Sequence, residues 1–84
     1  MAKGVFQFIA NRIFDCVGNS KVITCGLLIQ KLLEHLSMDC DVLECEKDHI
    51  LFKVDLCGDE AMYMLRINER NCVECVEFIG IVGE

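Results

Sequence analysis

The chain has 84 residues, of which 54% are apolar, and its formal net charge at neutral pH is −6. The eight basic residues are spread singly among fourteen acidic ones, so no basic cluster is available to neutralise a run of phosphates. The length predicts one domain over residues 1–84, and the charge argues against direct nucleic-acid binding.

Residues 3–17 alternate apolar and polar side chains at a helical period. At about 100° per residue, one broad apolar face collects Val5, Phe6, Ile9, Ala10, Ile13, Cys16 and Val17. Phe8 and Phe14 lie outside this face, on opposite flanks, and are candidates for a partner interface. Gly18 and Asn19 predict the end of the helix, because both tolerate the left-handed conformation that terminates helices.

A second amphipathic helix is predicted over residues 21–36, with Ser20 as the N-cap. Its apolar stripe consists of Val22, Cys25, Leu28, Ile29, Leu32, Leu33 and Leu36. Ile23, Leu27 and Met38 fall off the stripe, which predicts that this helix buries a second side. Gly26 lies beside the stripe, where it could let another backbone approach.

The second part of the chain shows the period of two that is typical of β-strands. Residues 42–46 predict a short, acidic first strand. Residues 50–67 predict a β-hairpin, with Gly58 and Asp59 in a tight turn that needs positive φ. Residues 72–82 predict a last strand, in which a β-bulge near Cys75 and Val76 would let Glu74 and Glu77 both face solvent.

This order of elements predicts an α+β fold, with two N-terminal amphipathic helices packed on one face of a four-stranded antiparallel meander. An alternative is a β-α-β-β-β-β order, in which residues 4–9 form a first strand.

Seven cysteines without an apolar secretory segment predict a cytoplasmic protein with reduced cysteines. No apolar run approaches the about 18–20 residues of a membrane span, so no membrane association is expected. An alternative is a structural zinc site, because four thiolates from two loops are a common zinc ligand set. Its ligands would be Cys40, Cys45, Cys72 and Cys75.

Catalytic motifs are missing from the sequence. Cys57 precedes the hairpin turn, but nothing adjacent to it lowers the pKa of a thiol. His35 and His49 read as an exposed helix residue and a turn residue. We therefore predict no enzymatic activity and no cofactor.

The apolar content exceeds what so small a core hides, which predicts a second buried surface and a homodimer. The function predicted is a small acidic protein-interaction or regulatory module, and within this class an inhibitor of a larger protein of the kind that viruses and mobile elements encode. The alternatives are the zinc module and a carrier of a small apolar ligand. The candidate interface residues are Leu51, Met62, Met64, Phe8, Phe14, Ile79 and Ile81.

Overall fold

The computed structural model describes residues 3–20 and 23–83. Its elements are α1 (Lys3–Val17), α2 (Cys25–Leu36), β1 (Cys40–Cys45), β2 (His49–Leu56), β3 (Asp59–Ile67) and β4 (Val73–Ile81). The four strands form one antiparallel sheet in the order β1-β2-β3-β4. The predicted α+β class and meander are confirmed. The alternative first strand at residues 4–9 is wrong, since these residues belong to α1.

The β2–β3 hairpin turns through two residues, because Leu56 pairs with Asp59. The turn residues Cys57 and Gly58 have φ of 54° and 92°, as a primed two-residue turn requires. The prediction that Gly58 adopts positive φ is confirmed. The turn nevertheless begins one residue earlier than predicted, and Asp59 opens β3.

Both described helices pack on the same face of the sheet, with α1 over β4 and α2 over β1. Stacked rings join the layers: the ring centroids of Phe6 on α1 and Phe78 on β4 are 4.7 Å apart, at an interplanar angle of 8°. Tyr63 lies next to Phe78 and is fully buried, and its hydroxyl donates a 3.0 Å hydrogen bond to the Phe6 carbonyl. The first helix is thereby fixed to the second half of the chain.

The helix α1 ends at Val17, as predicted, but for a different reason. Gly18 is not among the described residues with positive φ. A Cβ at Gly18 would lie 2.7 Å from the carbonyl oxygen of Phe14, so a larger residue does not fit there. Close approach of the backbone, and not the left-handed conformation, therefore requires the glycine.

The helix α2 begins at Cys25, and Thr24 is its N-cap, because the Thr24 hydroxyl accepts a 3.1 Å hydrogen bond from the Leu27 N–H. The predicted cap at Ser20 is wrong, and Val22 of the predicted stripe lies outside the described residues. The C-terminal boundary at Leu36 is confirmed, and the left-handed Ser37 ends the helix.

The apolar stripe of α2 is narrower than predicted. Leu28 and Leu32 are buried, whereas Ile29 and Leu33 are exposed, Leu33 to 53%. The off-stripe residues Ile23, Leu27 and Met38 all contact the single core, so they do not bury a separate second side. A Cβ at Gly26 would meet no atom within 4 Å, so no backbone of this chain approaches it.

Bulges interrupt both edge strands. In β1 the register shifts at Leu43, between Val42 and Glu44. In β4 it shifts at Glu74 and again at Ile79. The predicted bulge in the last strand is therefore present, at Glu74 and not at Cys75 and Val76. A bulge discourages edge-to-edge pairing with another chain, since it breaks the row of free backbone groups.

Among the described residues, no helix is both long and apolar enough to cross a membrane.

Candidate functional site

The sheet face away from the two helices is the open face. The register places alternate residues of each strand there, opposite the buried ones. Its cross-strand pairs in β2 and β3 are His49 with Arg66, Leu51 with Met64, Lys53 with Met62, and Asp55 with Glu60. The outer strands add Asp41 and Glu44 from β1, and Cys75, Glu77 and Gly80 from β4.

The centre of the open face is apolar. Leu51 lies directly opposite Met64, and Met62 is two residues along the same strand, so three predicted interface residues come together. All three are half-buried. Gly80 lies opposite Met62, and a Cβ there would meet no atom within 4 Å. The missing side chain leaves a shallow dent beside Met62.

Ion pairs surround this centre. Lys53 Nζ lies 2.8 Å from Glu60 Oε2, and Arg66 Nε lies 3.0 Å from Glu77 Oε1. The hydrogen bond that Lys53 donates to Glu60 raises the pKa of Lys53, and the one that Arg66 donates to Glu77 lowers the pKa of Glu77. Exposed pairs of this kind contribute little to stability. Their main effect is to orient long side chains around the apolar centre.

His49 bridges two carboxylates at one end of the open face. Its Nδ1 is 2.9 Å from Asp48 Oδ1, and its Nε2 is 3.1 Å from Glu44 Oε1. The hydrogen bond to Asp48, followed by that to Glu44, raises the pKa of His49. The same bond to His49 lowers the pKa of Asp48. The His49 ring thus links Asp48 in the β1–β2 turn to Glu44 on β1.

We expect this bridge to contribute stability within a limited pH window. The His49 contribution is complete below the ordinary histidine pKa of about 6.5 and is lost as the pH rises through the raised pKa of the folded state. The Asp48 contribution is present above its ordinary pKa of about 3.9 and is lost as the pH falls through its lowered folded value. The difference in unfolding free energy between the wild type and His49→Gln should therefore be largest near pH ~5.

The measurement is urea unfolding of both proteins across this range, with an NMR titration of the His49 ring. A His49 pKa at or below about 6.5 would contradict the bridge.

Charge is divided unequally along the chain. Residues 1–37, which contain both helices, carry four basic and two acidic side chains, a net charge of +2. Residues 38–84, which contain the sheet, carry four basic and twelve acidic side chains, a net charge of −8. Neither the total net charge nor the scattered placement of the basic residues reveals this asymmetry, which appears only when the two parts of the chain are counted separately. The signal was present in the sequence.

The other predicted interface residues lie elsewhere. Phe8 and Phe14 are exposed on separate flanks of α1, on the helical side of the molecule, Phe8 to 59%. Ile79 is at the second bulge of β4 and is 48% exposed. Ile81 pairs with Ala61 and packs against the core. The seven predicted residues therefore do not form one continuous surface.

A disulfide joins Cys25 to Cys45, so the prediction of reduced cysteines is wrong. Cys25 is the first residue of α2 and Cys45 the last of β1, and their Cα atoms are 6.8 Å apart. In a reducing compartment each cysteine would act only as a small apolar residue. The pairing depends on how α2 lies against β1, and no sequence spacing reveals that approach.

The four candidate zinc ligands are not brought together. Cys40 and Cys45 are in β1, whereas Cys75 is in β4 and Cys72 immediately precedes it. These strands form opposite edges of the sheet, about 14 Å apart at three strand spacings. Cys45 is also bonded to Cys25 in the disulfide, so it has no free thiolate for a metal ion. Within residues 3–20 and 23–83, no group of three His, Cys, Asp or Glu side chains is placed to hold a metal ion.

A surface cleft between the helices is lined by Arg12, Asp15, Cys16, Lys31 and His35. Cysteine, histidine and aspartate are the residue types found in sites with a cysteine nucleophile. The Cys16 thiol, however, donates to the Lys31 carbonyl at 3.6 Å, and burial raises its pKa. A thiol held in its protonated form is a weak nucleophile. The exposed Cys57 lies in the hairpin turn. The prediction that the chain is not an enzyme stays a prediction.

Searches of protein-family models, of curated proteins and of solved structures returned no match to this chain.

Proposed function

We propose that this chain is a small protein-interaction module that binds its partner through the open face of the sheet. The observation that carries the proposal is the apolar centre of Leu51, Met62 and Met64, which lies on the sheet face opposite both described helices. Methionine side chains suit such a surface, because they are flexible and adapt to irregular partners. An inhibitor or regulator of a larger protein is a narrower version of this proposal.

A face is better suited to binding here than an edge. Strand addition needs an uninterrupted row of free backbone groups. The bulge at Leu43 breaks β1, and those at Glu74 and Ile79 break β4. The partner is therefore expected to contact side chains and not to extend the sheet.

The dimensions of the face limit the strength of the contact. Four strands about 4.8 Å apart, with about seven residues of 3.3 Å each, give a projected area of roughly 450 Å². A standard interface covers about 800 Å² per partner. The complex is therefore either transient or extends onto the loops at the rim of the sheet.

The predicted homodimer and the predicted cytoplasmic location also remain proposals. The exposed Phe8, Leu33 and Ile79 support self-association. The disulfide argues against a reducing compartment, since such bonds are typical of oxidising compartments and of hyperthermophile interiors. A ligand carrier is less well supported, because the packed rings of Phe6, Phe78 and Tyr63 occupy space between the helices and the sheet.

The test replaces the apolar centre without changing charge, in the double variant Met62→Gln and Met64→Gln. Immobilised wild type is expected to capture a protein from an extract of its native cells, and the variant to capture it at least about tenfold less, because the centre of an interface dominates its affinity. The matched control is Phe8→Gln with Leu33→Gln, which makes the same chemical change on the helical side.

Capture should be unchanged in this control. Capture by the Met62→Gln and Met64→Gln variant equal to that by the wild type would contradict the proposal. A loss of capture confined to the control would place the binding surface on the helices.

A further inference from the structure

We infer that the occupant of the open face is a basic protein surface, rich in lysine and arginine, that presents one apolar side chain towards Met62. This inference rests on the proposed function and deepens it by naming the chemistry of the partner. It is carried by two features of the same face, its charge and its shape.

The charge of the open face is unbalanced. Five carboxylates lie on it, against two permanent cations, Lys53 and Arg66. The carboxylates are Asp41, Glu44, Asp55, Glu60 and Glu77. Ion pairs are described for Glu44, Glu60 and Glu77, and none for Asp41 or Asp55. Asp55 Oδ1 instead accepts a 3.1 Å hydrogen bond from the Gly58 N–H. Carboxylates without a cationic partner beside an apolar centre attract a cationic surface and guide its approach.

The uneven division of charge argues against a purely solubilising role. Charge that only keeps a protein in solution needs no particular side, whereas here residues 1–37 carry a net charge of +2 and residues 38–84 one of −8. On the open face the five carboxylates outnumber Lys53 and Arg66, so the field of this face is negative. A basic partner approaching this field arrives with its contact surface already turned towards the sheet.

The same charge disfavours two other occupants. A second copy that docked its open face on this one by a two-fold axis would bring together two faces that each carry five carboxylates against Lys53 and Arg66. Like charges placed across an interface oppose association. Nucleic acid is disfavoured for the same reason, because its phosphates repel carboxylates.

The shape of the face provides a place for an apolar side chain. Gly80 lies opposite Met62, and space for at least a methyl group stands open above it. Gly80 is not among the residues with positive φ, so its backbone accepts other residues. A leucine at this position would project into the open space beside Met62.

The test uses the whole protein and a synthetic peptide, Lys-Arg-Lys-Leu-Lys-Arg-Lys, labelled with fluorescein. Binding is measured by anisotropy, and the contact is mapped by shifts of backbone amide signals in ¹⁵N-labelled protein. We expect the amide shifts at Leu51, Met62, Met64 and Gly80. The affinity for the peptide should fall as the salt concentration rises from about 50 to 200 mM. The same peptide with glutamate at every basic position should not bind.

Two pairs of variants distinguish binding of the peptide to the open face from nonspecific attraction to an acidic protein. Asp41→Asn with Asp55→Asn removes two charges from the open face and should weaken binding about threefold to tenfold. Asp15→Asn with Glu34→Gln removes two charges from the helical half and should leave binding unchanged. Gly80→Leu should weaken binding while the unfolding free energy is maintained.

Equal weakening by both charge pairs, amide shifts on the helices, or binding of the glutamate peptide would overturn the inference. A doubled mass in light scattering, together with amide shifts on the open face when the protein dimerises, would show that a second copy and not a basic partner occupies this face. If the peptide fails to bind but the native partner is still lost in the Met62→Gln and Met64→Gln variant, the proposed function stands and only the basic partner is refuted.

Discussion

Replacing Phe52 with alanine should lower the free energy of unfolding by about 3–5 kcal/mol, because the substitution leaves a cavity in the centre of the core. Phe52 is fully buried in β2, and its ring stacks on that of Tyr63 at a centroid distance of 5.9 Å. A domain of this length has a total stability on the order of 4–13 kcal/mol. The loss is therefore large enough to leave part of the population unfolded at ambient temperature. Urea unfolding followed by circular dichroism measures it.

The matched control is Leu51→Ala, the preceding residue of the same strand. Leu51 is only half-buried and lies on the open face, so its loss should cost about 1 kcal/mol. Similar losses for the two variants would mean that the open face is as tightly packed as the core. That result would contradict the two-layer structure and the proposed binding surface together.

Removing the disulfide should cost about 3 kcal/mol, the loop-closure term for a bond between residues 20 apart in sequence. The bond holds the start of α2 against the end of β1, so the unfolded chain gains freedom when the link is cut. The double variant Cys25→Ser and Cys45→Ser should therefore unfold at lower urea concentration than the wild type. Reductant should destabilise the wild type by a similar amount.

The double variant itself should not respond to reductant, because it has lost the bond. Cys57→Ser is the control for cysteine replacement, since Cys57 is an exposed free thiol in the hairpin turn. Its stability should match the wild type with and without reductant. A double variant as stable as the wild type would show that packing alone positions α2 on β1.

Much of the fold could be predicted because its local signals agree. The alternation through the hairpin and the apolar face of α1 each point to one structure, and the buried residues follow both patterns. The start of α2 could not be placed, because Ser20 and Thr24 are both good caps and only the packing of Ile23 in the core decides between them. The hairpin turn was misplaced by one residue because Cys57 adopts a positive φ that sequence alone does not suggest.

The open face was only partly predictable. Period two places Leu51, Met62 and Met64 on the outer side of the hairpin, so their proximity follows from sequence. The bulge at Ile79 and the inward side chain of Ile81 depend on register shifts, which tertiary packing sets. The disulfide was unpredictable, because Cys25 and Cys45 meet only once helix and sheet are docked.

The stack of Phe6 on Phe78 also bears on how the protein is made. It joins the first described helix to the last strand, so the docking site of α1 does not exist until β4 has been synthesised and has paired. The apolar face of α1 therefore precedes by most of the described chain the strand on which it packs. Such contacts of high sequence separation slow folding and expose a nascent chain to aggregation. We expect docking of α1 on the sheet to be a late step of folding, which follows the pairing of β4 with β3.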